Sequence, residues 1–278
     1  MLSVELGPVV ERLRASGCVF AEDEAAIIAS TARDVAELTA MVDQRVAGQP
    51  LEYVVGWASF CGLRILVDPG VFIPRRRTEF LVSEALRVTS PGAVVVDLGC
   101  GSGALGAAVA AERDVSLVAA DVEPAAVRCA RRNLPGRDVY QGDLFDALPL
   151  DLRGRIDVLL SNVPYVPTDE IRLLPPEARL YEPPVTLDGG PDGLATLRRV
   201  VAGTPEWLAP GGHLFVEMSD QQAPIARAVM AEYGLVAEIV TDEDLGANVV
   251  HGVKPGVKPG IKPGVKPGAG RGAGTPGG

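Results

Sequence analysis

Residues 94–106 read Val-Val-Val-Asp-Leu-Gly-Cys-Gly-Ser-Gly-Ala-Leu-Gly: a short apolar run, a turn with glycine at alternate positions, then small apolar residues. A strand that passes into a helix through so tight a turn belongs to a βαβ unit, in which the helix carries the chain back to a parallel neighbour. Glycine has no side chain and tolerates unusual dihedrals, so the backbone of this turn can come close to a bound molecule. Gly101-x-Gly103-x-x-Gly106 also satisfies the dinucleotide fingerprint, which leaves hydride transfer with a nicotinamide cofactor open beside other nucleoside chemistry.

The same rhythm continues along the chain. Apolar runs at 93–98, 115–120, 156–161 and 213–218 alternate with helical patterns at 104–112, 124–133, 194–208 and 221–233. Such alternation predicts an α/β fold with a largely parallel sheet covered on both faces. Runs at 236–240 and 247–250 are separated by a short acidic turn and are expected to pair antiparallel at one edge. Ahead of the alternation, residues 1–48 carry apolar positions at helical spacing. Asp34 and Glu37 suit the positive end of the third helix, and Gly48 with Pro50 stops it. Residues 57–67, broken at Gly62, fit a small hairpin, and a helix follows over 78–88. The expected division is a helical domain at 1–50, a linker with hairpin at 51–77, the sheet domain at 78–252 and a tail at 253–278. That tail repeats Lys-Pro-Gly with a period of four, and proline so often denies both helix and sheet ladder, so it is expected to be disordered or extended.

Composition narrows the function. The 278 residues are 47% hydrophobic and 22% charged, the mix of a soluble globular chain. The most apolar window, 98–111, is bounded by Asp97 and Glu112 and is too short to cross a bilayer. Glu5, Glu11, Arg12 and Arg14 interrupt any signal sequence, so a cytoplasmic location and no membrane partner are expected. The net charge of −10 hides an asymmetry: the last 28 residues hold five basic residues and no acid, leaving a net −15 on the first 250. Such a body repels nucleic-acid phosphates. Cys18, Cys61, Cys100 and Cys129 match neither a zinc spacing nor a disulfide framework and read as buried free thiols. His213 and His251 have no partner at ligand spacing, so no metal is expected, and His213 reads as a surface residue. Arg75, Arg76 and Arg77 could touch an anionic group or simply form a solvated turn, the favoured reading, with Glu79 supporting the first turn of the helix behind them.

Three further positions carry chemistry. Asp121 ends the strand after the Gly-rich unit, where a carboxylate can accept from both ribose hydroxyls of a nucleoside; it could equally cap the following helix. Asp143, followed by Leu144 and Phe145, could accept from an adenine amine while the apolar pair packs nearby. Asn162-Val163-Pro164-Tyr165 closes the fourth strand, on the carboxyl edge where open parallel sheets bind ligands. The lone pair of an amide nitrogen is delocalised, so methylating it demands orientation. The Asn162 side-chain carbonyl and the Val163 backbone carbonyl can each accept one N–H of an amide, Pro164 biases Val163 to extended geometry, and Tyr165 can pack on the flat group.

With these motifs in place the sequence resembles the HemK/PrmC-type protein-(glutamine-N5) methyltransferases, whose Asn-Pro-Pro-Tyr corresponds to residues 162–165. The resemblance extends to Gly48-Gln49-Pro50-Leu51-Glu52-Tyr53, to Phe72-Ile73-Pro74-Arg75, to Tyr181-Glu182-Pro183-Pro184, to the run from Leu187 to Leu194, and to Gly211-Gly212 with Glu217 and Gln221. It implies a class I S-adenosylmethionine-dependent methyltransferase, Rossmann-like, with a seven-stranded, mostly parallel sheet and a small N-terminal helical domain that recognises substrate. It implies S-adenosyl-L-methionine held by Gly99, Cys100, Gly101, Ser102, Gly103, Asp121, Asp143, Leu144 and Asn162. Catalysis falls to Asn162, Val163, Pro164 and Tyr165, and the partner is a protein, the Gly-Gly-Gln glutamine of peptide chain release factors, met by a monomer with no stable nucleic acid. Val163 departs from the family proline; it keeps the carbonyl and adds an N–H. Methylation of an exocyclic amine in nucleic acid poses the same geometric problem and stands as the second reading, beside a catalytically weak cofactor-binding relative.

Overall fold

A computed structural model describes residues 5–256, so the expectation of a disordered tail lies, from residue 257 on, outside the described residues. Helices α1 (Gly7–Ala15), α2 (Ala21–Thr31), α3 (Val35–Val46) and α4 (Leu51–Val55) pack around Leu13, Ala25, Ile28, Leu38 and Val42. The Asp34 carboxylate accepts the Glu37 N–H at 2.8 Å while Glu37 reaches back to the Arg33 N–H at 2.6 Å, a reciprocal cap that starts α3. Pro50 stops α3 as expected, but it also starts α4, whose Val55 is buried in the helical core. A fourth helix thus packs with the first three beyond residue 50.

Strands β1 (Trp57–Phe60) and β2 (Leu63–Leu66) form the expected hairpin around Gly62. Glu79, the first residue of α5 (Glu79–Val88), accepts the Cys61 N–H at 2.9 Å and ties the hairpin to the sheet domain. The alternation follows: β3 (Val94–Leu98), α6 (Ala104–Glu112), β4 (Ser116–Asp121), α7 (Pro124–Asn133), β5 (Asp138–Gln141) and β6 (Ile156–Ser161). After a long insert carrying α8 (Pro176–Tyr181) come α9 (Ala195–Trp207), β7 (Leu208–Met218), α10 (Ala223–Glu232), β8 (Val236–Asp242) and β9 (Ala247–Val253).

The seven-stranded sheet has the order β5-β4-β3-β6-β7-β9-β8, parallel from β5 to β7. The last two strands pair antiparallel, as expected, with β9 inserted between β7 and β8. The tail boundary expected at 253 falls inside this sheet. Val253 is paired in β9, and Lys254 exchanges backbone hydrogen bonds with Gly211 and Gly212 at 2.9 Å each.

Side chains alternate across each strand and build a core on each face. Val95 and Leu117 meet Leu81, Leu105 and Val109 on one side; Val96 and Leu159 meet Leu197, Val201 and Met230 on the other. Burying each such side chain contributes about 1.5–3 kcal/mol. Because β3 lies between β4 and β6, the chain reverses its direction of travel across the sheet there. The carboxyl ends of these three strands open a crevice at the switch point.

Candidate active site

That crevice holds a cavity of about 310 Å³, at the small end of the roughly 300–1,000 Å³ of ligand pockets. Gly99, Cys100, Gly101 and Ser102 line it from the end of β3, Asp121 from β4, Asp143 and Leu144 from the turn after β5, and Asn162, Val163 and Pro164 from the loop after β6. The sequence thus named most of one wall. Gly103 is the exception among the expected contacts: it faces α7 instead, where an added Cβ would lie 3.0 Å from Leu134 Cδ1 and 3.2 Å from Ala130 Cβ. Its φ of 79° is the left-handed turn that aims α6 away from β3.

The Asp121 carboxylate joins the two strands: Oδ2 accepts the Gly101 N–H at 2.8 Å and Oδ1 accepts the Glu123 N–H at 2.9 Å. Each oxygen keeps a lone pair for a ribose hydroxyl. Burial pushes this carboxyl above its ordinary range, against those two backbone bonds. Asp143 stands half-exposed in a 2.7 Å ion pair with Arg199 of α9. Leu144 adopts a φ of 49°, which costs a side-chain-bearing residue about 1–2 kcal/mol and holds it against the cavity.

A second cavity, about 270 Å³, adjoins the first. Both are lined by Phe72, Asn162, Val163, Pro164 and Thr186, so the loop after β6 stands between them. Tyr165 lines only the second of these two. Asn162 Nδ2 donates to Thr78 Oγ1 at 3.4 Å, which leaves its carbonyl Oδ1 as the free acceptor. The Gln222 amide donates to the Tyr165 carbonyl at 2.7 Å and to the Asp192 carbonyl at 3.2 Å, and it accepts from Ser219 at 2.8 Å. Gln222, rather than the Gln221 singled out in the sequence, therefore anchors the loop.

Sequence reading missed the roof over the site. Phe60, Phe72, Pro74 and Thr78 come from the hairpin and linker, and Val185 with Thr186 from the insert before α9. The run from Phe72 to Thr78 was visible as a motif, but nothing local says that it folds back over the sheet. The arginine turn divides between its two expected readings. Arg75, half-buried, pairs with the buried Glu182 at 2.6 Å, and Arg77, exposed like Arg76, nonetheless pairs with the buried Glu217 at 2.9 Å. His213 is likewise half-buried rather than on the surface: β7 and β9 are neighbours, which sets its Nδ1 2.8 Å from His251 Nε2. All four thiols are free, and Cys100 and Cys129 are buried while Cys18 and Cys61 are partly exposed. Among the described residues no helix is long and apolar enough to cross a membrane, and no group of three or more acidic, histidine or cysteine side chains is placed to hold a metal.

The first cavity fits S-adenosylmethionine on its own chemistry. The Gly-rich turn brings bare backbone to the ligand, Asp121 offers acceptors for ribose, and Asp97 beneath the turn is fully buried with Oδ1 unpartnered among the described residues. A cationic sulfonium suits a cavity lined by the carboxylates of Asp121, Glu123 and Asp143.

Residues 62–173 match the family model described as methyltransferase small domain. A release factor glutamine methyltransferase of Geobacter sulfurreducens is 37% identical over 224 residues, covering 79% of this chain and 78% of that one. Proteins of the same description from Mycolicibacterium smegmatis and Caulobacter vibrioides are 38% and 34% identical, covering 74% and 81% of this chain and 74% and 80% of theirs. In fold the chain is similar to a methyltransferase of Pyrococcus furiosus, with a TM-score of 0.53 and 17% identity over 70% of this chain and 90% of that one. It is also similar to the E. cuniculi Mtq2-Trm112 complex, with a TM-score of 0.50 and 23% identity over 66% of this chain and 99% of that one. The structural likenesses speak for the class I methyltransferase fold alone. The sequence relatives go further, and at these identities and coverages the chain belongs to the release factor glutamine methyltransferase family.

Proposed function

We propose that this protein transfers the methyl group of S-adenosylmethionine to the side-chain amide nitrogen of a protein glutamine, that of the Gly-Gly-Gln motif in peptide chain release factors, with Asn162 and Val163 orienting the nitrogen. One observation carries the site assignment: two adjoining cavities share the Asn162-Val163-Pro164 segment. The cofactor takes the first cavity and the glutamine side chain the second, so the reacting atoms meet at this segment.

When bound, S-adenosylmethionine supplies an electrophilic methyl group on a positively charged sulfur. The chain supplies position. Asp121 accepts from ribose, Asp143 and Leu144 flank the adenine, and the backbone of residues 99–102 cradles the remainder. Asn162 Oδ1 and the Val163 carbonyl would accept from the two amide N–H groups, which turns the nitrogen toward the methyl and raises its electron density; the N–CH3 bond forms as the S–CH3 bond breaks, and one of the two N–H protons is released. Val163 is 3% exposed, so its position is held by packing on every side. The side chain of Val163 packs over the Gly-rich turn, where a Cβ on Gly99 would lie 3.8 Å from Val163 Cγ1, and the carbonyl that the family proline would offer is retained. The first 55 residues, joined to the roof through α4 and the linker, are assigned to recognition of the protein acceptor.

The test is methyl transfer from labelled cofactor to purified release factor, beside its Gln→Ala variant and bulk RNA and DNA. Label on the glutamine alone supports the reading; label on nucleic acid with none on protein overturns it. Asn162→Ala should lower transfer by about 10²–10³-fold, the usual effect of removing one preorganised polar partner. Cofactor binding in that variant should be weakened but measurable by calorimetry, and intact turnover would remove Asn162 from the site.

A further inference from the structure

Arg77 and Thr78 are consecutive in the chain, and they grip opposite ends of the same loop. Thr78 Oγ1 accepts from Asn162 Nδ2 at 3.4 Å, and the Arg77 guanidinium donates to the Tyr165 hydroxyl at 2.6 Å. Glu217, at the end of β7, closes the second grip. Its Oε1 accepts from the Tyr165 hydroxyl and from Arg77 Nε, each at 2.9 Å. The Glu217 side chain is 3% exposed, and its Oε2 has no partner among the described residues. Burying a carboxylate with one bare oxygen is costly, and a fold retains such a group where its geometry is needed.

We infer that Arg77, Thr78 and Glu217 form a clamp that sets the aim of the Asn162 and Val163 carbonyls, with Arg77 and Glu217 acting as positioning residues for methyl transfer. The inference rests on the acceptor reading of this loop. A proline at position 163 would lock its own φ; valine does not, so within residues 162–165 Pro164 supplies the one ring constraint and the rest must come from outside. The outside grips are long-range, reaching 84 and 88 residues back to the linker, so no local turn preference can replace them. Gln222 already fixes the main chain at Tyr165, which leaves the phenol end to Arg77 and Glu217. Burial and the Glu217 charge hold the Tyr165 phenol well above its ordinary range, so it stays protonated and donates to Glu217 across the working pH.

Three variants separate the clamp from general stability. Glu217→Gln keeps the shape and removes the charge, Arg77→Met keeps the stem and removes the guanidinium, and Tyr165→Phe removes the hydroxyl that both engage. Each should lower kcat on release factor by about 10²-fold, the loss that a displacement near 1 Å can produce, while cofactor Kd stays within about twofold. Arg77→Met combined with Tyr165→Phe should cost little more than either alone, because both break one grip. A readout independent of turnover comes from the Val163 amide, which a proline would lack. Its NMR order parameter should fall from about 0.85 to below about 0.6 in Glu217→Gln and Arg77→Met, with Gly101 unchanged. A rigid Val163 amide in both variants, or kcat within about twofold of the parent, overturns the clamp. A parent that binds cofactor but leaves glutamine unlabelled overturns the acceptor reading instead, and the amide measurement still decides whether the clamp exists.

Discussion

Asp97 sits fully buried under the Gly-rich turn, with Oδ2 accepting the Gly106 N–H at 2.9 Å and Oδ1 unpartnered among the described residues. Burial is the main cause that pushes its carboxyl to about 7, the Gly106 bond opposes it, and the neighbouring Asp121 adds to it. A carboxyl raised in the folded state from an unfolded value near 3.8 binds its proton more tightly when folded. Its stabilising contribution is therefore complete below about pH 3.8 and is lost as pH rises to about 7. Asp97→Asn keeps an acceptor for Gly106 and removes the titration. The stability gap in favour of the variant should open across this window, by at most about 1.4 kcal/mol per pH unit, and level off above it. Thermal unfolding of the ligand-free pair from pH 5 to 8 checks this, and parallel curves would show that Asp97 is already ionised in the folded protein at pH 5, so that burial does not raise it. Nothing in the sequence marks this residue apart from its place in an apolar run. Its burial is the work of α6 and the strands beside it, whereas Asp121 and Asn162, at strand ends, could be read directly.

At the scale of elements, the strands of the parallel sheet were legible because each is an uninterrupted apolar run bounded by turn residues. The antiparallel pairing of the last two strands was legible for the same reason, but the slot that β9 takes between β7 and β8 was not, because slot choice is a tertiary decision. Short elements such as α4 and α8 escaped notice: five or six residues carry too little periodicity, and their helicity comes from packing. Gly103 shows what an expected contact can turn into. Its position in the turn was foreseen as cofactor contact, and its constraint proves to be the left-handed φ of 79° and the close approach of Leu134 and Ala130. Gly103→Ala should destabilise the protein by about 1–3 kcal/mol through dihedral strain and overpacking against α7. Denaturant unfolding measures the loss, and a variant as stable as the parent would mean that α6 and α7 can part freely. Cofactor affinity should fall with it, because the same shift moves the backbone of residues 99–102.

For the whole molecule, the N-terminal helices reach the wall of the second cavity chiefly through one arginine. Arg45, near the end of α3, pairs with Glu24 of α2 at 2.6 Å, donates to the Gln49 carbonyl at 3.0 Å, and pairs with Glu177 of α8 at 2.7 Å. Its side chain is 12% exposed, and the Tyr181 hydroxyl adds a 3.3 Å bond to the Ala47 carbonyl. At the other end of α8, Glu182 is held by Arg75 of the linker. The segment that these contacts hold, with the residues just before it, supplies Leu174, Pro175, Glu177 and Ala178 to the second cavity. If the N-terminal helices recognise the protein acceptor, as proposed, they are thereby wired to the wall that would receive the glutamine. Arg45→Met keeps much of the apolar stem, cuts both ion pairs and leaves Glu24 poorly solvated, so a stability loss of about 1–3 kcal/mol is expected. The functional expectation is more specific: a KM for release factor raised about 10-fold, with kcat and cofactor Kd changed far less, since the loss falls on binding of the acceptor rather than on the reacting atoms. Steady-state kinetics with calorimetry of the cofactor separate the cases. An unchanged KM would mean that the helical domain docks substrate without involving α8, and a cofactor Kd that moves with KM would mean that the arginine holds the whole roof rather than the acceptor wall.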